Sequence, residues 1–168
     1  QVGVLEVDER SSLKVYKYLT PDILICNNIM RDSLKRNAHT EFICYILNKQ
    51  LPSSTKVVLN ADDLICSGLF PNNKDRTYFG VSADRPENGA ATDEALRDIV
   101  YCPKCGAKLE TEYVRYNHIG RHHCPACGFA SPKPDYDVTA INREKGTFTV
   151  THNGVDEEYK IVNDNIIN

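Results

Sequence analysis

Lys56-Val57-Val58-Leu59-Asn60-Ala61-Asp62-Asp63-Leu64 decides the fold. An apolar strand stops on a polar residue. Asp62 or Asp63 then caps a short helix running through Leu64, Ile65 and Leu69. Upstream of it, Phe42, Ile43, Ile46 and Leu47 recur at helical spacing. Before that helix, Ile23-Leu24-Ile25-Cys26 is a run of the kind buried on both faces of a sheet. Ser11-Ser12 can cap a helix carrying Leu13, Val15, Tyr16 and Leu19, and Pro21-Asp22 breaks it. Val2 to Val7 is a further continuous apolar run, predicted as the first strand. Downstream, Arg76 to Val81 supplies a fourth. Strand and helix alternate through the first 81 residues, which implies a mainly parallel sheet flanked by helices.

After Val81 the pattern changes. Ser82 to Thr92 is a polar stretch with Gly and Pro, expected as a linker. A cysteine block follows, from about Tyr101 to Pro134. Beyond it, Asp137-Val138-Thr139-Ala140-Ile141 alternates as an antiparallel strand, Arg143-Glu144-Lys145-Gly146 turns, and Thr147 to Thr151 returns. Asn153-Gly154 is a two-residue hairpin turn, and Glu158 to Val162 is the last strand. The expected organisation is one domain formed by residues 1–100 and 135–168, with 101–134 as an insert.

The insert carries Cys102-Pro103-Lys104-Cys105-Gly106 and Cys124-Pro125-Ala126-Cys127-Gly128, with eighteen residues between Cys105 and Cys124. Two residues between paired cysteines let both sulfurs reach one tetrahedral ion. Proline pre-sets a turn angle, and glycine allows the positive φ that aims backbone amides at the thiolates. Cys102, Cys105, Cys124 and Cys127 are therefore expected to bind one Zn²⁺ in a ribbon. Four thiolates leave no position for water, so the zinc is expected to be structural. Disulfides within each knuckle would need an oxidising compartment, and a redox Cys-x-x-Cys a thioredoxin-type context; nothing in the sequence points to either. His118, His122 and His123 stand close by, each an alternative zinc ligand to one cysteine. Cys26, Cys44 and Cys66 lie on apolar faces and are expected in the core.

The 168-residue chain has a net charge of −3, which gives no chain-wide polyanion-binding character. No apolar run approaches the roughly 18 residues of a membrane span. With seven cysteines and no basic-then-apolar leader, the expected location is the cytoplasm. Within the insert, Lys104, Lys108, Arg115, Arg121 and Lys133 face Glu110 and Glu112, a surplus of three that a zinc tetrathiolate reduces by two. That is a poor nucleic-acid footprint, and no nucleic-acid partner is expected. Tyr113 and Tyr116 are more simply ribbon packing than base-stacking residues.

Glu6-Val7-Asp8-Glu9 closes the first predicted strand, Asn28 and Asp32 follow the second, and Asn60, Asp62 and Asp63 follow the third. Ligands of parallel sheets bind at the carboxyl ends of strands, where acids can hold Mg²⁺ directly or through water. The plain alternative is a set of solvated loop charges. This order, Glu6-Val7-Asp8-Glu9, Asn28-Ile29-Met30-Arg31-Asp32 and Leu59-Asn60-Ala61-Asp62-Asp63, resembles the central domain of Mur ligases. With the four-cysteine insert it is similar to the MurT family, the ligase-like subunits of lipid II isoglutaminyl synthases.

The resemblance implies a Mur-ligase central-domain fold covering essentially the whole chain. It implies ATP-dependent activation of the D-glutamate α-carboxylate of the lipid II stem peptide as an acyl phosphate, at the inner face of the membrane. Ammonia from a class I glutamine amidotransferase partner (GatD-like) would then displace the phosphate. It makes Glu6 the magnesium ligand, supported by Asp8 or Glu9. It places Asn60 and Asp63 near the nucleotide, with Asn28 and Asp32 lining the cleft. The family's Gly-rich phosphate loop is expected before Gln1 and its C-terminal domain after Asn168, so catalysis by these residues alone is not expected. The loop departs from the family phrase at Ser33, Lys35 and Asn37-Ala38-His39. Two other readings compete: a zinc-ribbon module contacting nucleic acid or a protein, and a scaffold with a decayed ATP site.

Overall fold

The computed structural model describes residues 2–29, 39–84 and 99–162. Its main sheet has six strands in the order β1-β2-β3-β6-β7-β8. These are β1 (Ile23–Cys26), β2 (Lys56–Asn60), β3 (Arg76–Val81), β6 (Tyr136–Asn142), β7 (Thr147–His152) and β8 (Val155–Lys160). The first four of these strands run parallel; β6, β7 and β8 are antiparallel neighbours. The insert supplies a separate hairpin of β4 (Glu110–Tyr116) and β5 (Ile119–His123). The alternating first part and the antiparallel last part thus join in one sheet, as their patterning implied.

Alternation explains the core. Val57 and Leu59 point to the same face of β2 and are fully buried. They share a cluster with Ile43 and Leu47 of helix α2 (Thr40–Gln50) and with Cys66, Leu69 and Phe70. Leu24, Cys26 and Cys44 pack against its margin, as expected of the cysteines outside the insert. Arg76 ties β3 to the one-turn helix α3 (Leu64–Ser67): its guanidinium donates to the carbonyls of Ser67, Leu69 and Phe70 at 2.7 to 2.9 Å. The Asn153-Gly154 turn has φ of 51° and 76°, the paired positive values that a tight hairpin demands.

Three expectations are corrected. Residues 2–7 form no strand, and Val2 and Val4 are over nine-tenths exposed. An apolar run becomes a buried strand only where a neighbouring strand satisfies its amides and layers cover both faces. Among the described residues, nothing does so here. Second, among the described residues β1 is an edge strand with one open face: Leu24 and Cys26 turn to the core, while Ile23 and Ile25 are 56% and 66% exposed. Third, Ser11 makes no side-chain cap for α1 (Ser12–Val15). Asp8 caps instead, accepting from the amides of Arg10 and Ser11 ahead of a short 3₁₀ turn at Glu9–Ser11.

Candidate functional site

The loop after β2 is where the strand ends meet. The side-chain oxygen of Asn60 accepts from the Asp62 amide at 2.9 Å, a local turn that asparagine makes readily. Its amide nitrogen donates to the side-chain oxygen of Asn28, just beyond β1, at 2.9 Å. The parallel register of β1 on β2 brings these two asparagines side by side, Asn28 half-buried and Asn60 buried.

Asp63 sits behind them. One carboxylate oxygen caps α3 by accepting from Ile65 and Cys66 at 2.9 and 3.0 Å, and the other accepts from the Ile29 amide at 2.7 Å. His118 Nε2 lies 3.1 Å from the capping oxygen, and neither side chain is exposed. Asp62 faces the neighbouring strand: it accepts from the Val81 amide at 2.8 Å and pairs with Arg121 at 3.2 Å. Burial raises the Asp62 pKa above its ordinary value, against the lowering effects of the Val81 amide and of Arg121 and Arg115.

Three of these contacts come from the insert hairpin. Besides His118 and Arg121, the Gly120 amide donates to the Asp62 carbonyl at 2.7 Å. Arg115 donates to the carbonyls of Val81, Ala83 and Asp84, and Tyr113, buried beneath it, reaches the Val81 carbonyl. Sequence reasoning missed this seat, and weighed His118 only as a metal ligand. The one local hint was Gly120 inside a strand, a mark of close backbone approach.

The four expected cysteine ligands come together. Their sulfurs lie within 4.8 Å of one another, the one group of His, Cys, Asp or Glu among the described residues that can hold a metal ion. Cys102 and Cys127 sulfurs are 3.6 Å apart, and Cys105 and Cys124 3.5 Å. The two knuckles repeat one backbone pattern: Gly106 donates to the Cys102 carbonyl and Gly128 to that of Cys124, at φ of 74° and 72°. The nearby histidines are engaged elsewhere. His122 meets Thr111 and the His118 carbonyl, and His123 meets Glu110. Leu64 of α3 packs into the apolar cluster of Cys102, Leu109 and Cys124, so the metal-binding end is seated on the sheet domain too.

Glu6 lies on the exposed segment before the first helical turn, and Asp8 is the cap described above. With Glu9 they form no three-donor group among the described residues. Asp32 lies outside the described residues, as do Ser33, Lys35 and most of the 82–92 linker. No described helix is long and apolar enough to cross a membrane.

No family model matches the chain. Over 143 residues it is 31% identical to the lipid II isoglutaminyl synthase (glutamine-hydrolyzing) subunit MurT of Staphylococcus aureus strains COL and N315, across 84% of this chain. The chain is a MurT homologue. The Streptococcus pneumoniae MurT is 29% identical over 144 residues. The chain spans about a third of the length of these MurT relatives, 31% to 32%. A solved pseudomurein peptide ligase type C from Methanothermus fervidus matches 92% of this MurT homologue, and 30% of that ligase, with a TM-score of 0.68 at 23% identity. That likeness shows the Mur-ligase type of fold, with its mainly parallel sheet.

Proposed function

We propose that this chain is the central, ATPase-type part of a MurT-like amide ligase subunit working in peptidoglycan synthesis. The observation that carries the reading is the juxtaposition of Asn28 and Asn60 at the carboxyl ends of parallel β1 and β2, on a chain homologous to MurT. That edge is where parallel sheets bind nucleotides.

The chemistry runs in two balanced steps. A carboxylate oxygen of the stem-peptide D-glutamate in lipid II attacks the γ-phosphorus of ATP, and ADP leaves. Ammonia from a glutaminase partner then attacks the acyl carbon of the acyl phosphate, inorganic phosphate departs and a proton is lost. Asn60 and Asn28 form the nucleotide wall, with Asp63 behind it. Glu6 is the magnesium donor, with Asp8 in support; magnesium needs only one or two carboxylates beside phosphate oxygens and water. When bound, the ion neutralises charge developing on the transferred phosphoryl group.

The four cysteines fit zinc. A tetrahedron with Zn–S bonds of about 2.3 Å separates its sulfurs by ~3.8 Å, close to the 3.5 and 3.6 Å spacings. Its closed shell makes the ion structural. A nucleic-acid role is disfavoured, because Arg115, Arg121 and Tyr113 are committed to the sheet domain.

The test uses the full-length protein with its amidotransferase partner and lipid II. We expect ATP-dependent amidation, lost by at least ~100-fold in Glu6→Gln, and zinc that resists dialysis. A full-length protein that binds no nucleotide would sink the ligase reading.

A further inference from the structure

We infer that His118, in the turn of the insert hairpin, and Arg121, in the middle of β5, are positioning residues for the strand-end loop Asn60–Asp63. The metal-bearing insert then acts as the back plate of the nucleotide wall. This rests on the function proposed above, and adds to it a role for the insert that no ligand-binding motif signals.

The argument starts from Asp63. Its carboxylate is fully buried and gathers three amides from two segments: Ile29, which follows Asn28, and Ile65 and Cys66 of α3. A buried carboxylate needs each of its partners, since desolvation is offset only by hydrogen bonds and charge. His118 is the side-chain partner, and it arrives from 55 positions away. Asp63 holds Ile29, and Asn28 next to it holds Asn60, so the imidazole acts on the wall through a single carboxylate. From the other side Arg121 pairs with the Asp62 carboxylate, and the Gly120 amide donates to the Asp62 carbonyl.

The hairpin is suited to transmit a fixed position. His122 bonds back to the His118 carbonyl and to Thr111, which braces the tip against β4. β5 ends at His123, one residue before Cys124. A five-residue strand therefore spans from the knuckle to Asp63. A ribbon serving only its own stability has no need to place a buried imidazole and a guanidinium against two adjacent carboxylates of another element.

The experiment compares wild type, His118→Ala, His118→Gln and Arg121→Lys in the full-length, metal-loaded protein. Zinc content, amide hydrogen exchange at Ile29, Ile65 and Cys66, and binding of a fluorescent ADP analogue are measured together. His118→Ala should keep its zinc, exchange faster at those three amides and bind the analogue about tenfold more weakly. His118→Gln, which retains a donor, should recover most of both losses. Unchanged exchange and unchanged affinity in the zinc-loaded His118→Ala protein would overturn the positioning role alone. A wild type that binds no ADP analogue would overturn the nucleotide reading itself.

Discussion

At position 120 a side chain has no room. A Cβ on Gly120 would stand 2.0 Å from the Tyr113 carbonyl oxygen and 2.9 Å from the Val114 Cα. These are backbone atoms, so no rotamer change relieves the clash. Gly120→Ala must push β4 from β5 and pull the Gly120 amide off Asp62. We expect a loss of about 3 kcal/mol or more in unfolding free energy, measured by urea denaturation. Gly128→Ala, with open space around the added carbon, costs only the strain of its positive φ, roughly 1 kcal/mol. Residue-scale legibility divides in the same way. Asp63 was readable as a cap because the amides it serves are two and three positions ahead. Its bond to His118 was not, because nothing local marks a contact across 55 positions.

Among the elements, the best-read ones satisfy themselves. Helix α2 and the β7–β8 hairpin carry their own hydrogen bonds, so periodicity and the Asn153-Gly154 turn located them. Strand β8 nevertheless runs over Val155–Lys160 rather than the expected Glu158 to Val162, because the two-residue turn pairs Val155 directly with His152. The segment 2–7 and the outer face of β1 were misjudged for the opposite reason: burial of an apolar strand depends on what lies beside it. Helix α3 is a third case. Four residues are too few to hold a helix by propensity. Its start is held by Asp63 and its end by Arg76, which serves three carbonyls. Arg76→Ala should therefore destabilise the domain by at least ~2 kcal/mol, read as a lower urea midpoint. Arg76→Lys should recover only part, because one ammonium cannot match the guanidinium's fork.

For the whole molecule, the question is whether the insert and the sheet domain melt together. The spacing of the cysteines suggested a self-contained ribbon. Leu64 packing among Cys102, Leu109 and Cys124, together with the Asp62 and Asp63 contacts, couples the two. Stripping the metal with a chelator should lower the melting temperature and also remove amide protection from Leu64 to Ser67. Protection that survives there while the knuckles open would mean that the ribbon is independent after all. The overall topology was legible because binary patterning assigns each segment its partner type. The docking of insert on domain was not, since it is written in single polar residues rather than in a period.

The parallel pairing of β3 with β6 has a consequence for the entropy of folding. Tyr78 and Asp135, bonded to each other at 2.7 Å, are 57 positions apart, and the whole insert is threaded between them. A metal clasp held by Cys102 and Cys127 would take 25 of those positions out of the loop that must close. Loop entropy rises only logarithmically, so that shortening is worth under ~0.6 kcal/mol. The clasp thus barely quickens the search by tethering. What it provides is a seat: next to the cysteine cluster, the β4–β5 hairpin brings Gly120, Arg121 and His118 against the Asp62–Asp63 loop that ends β2.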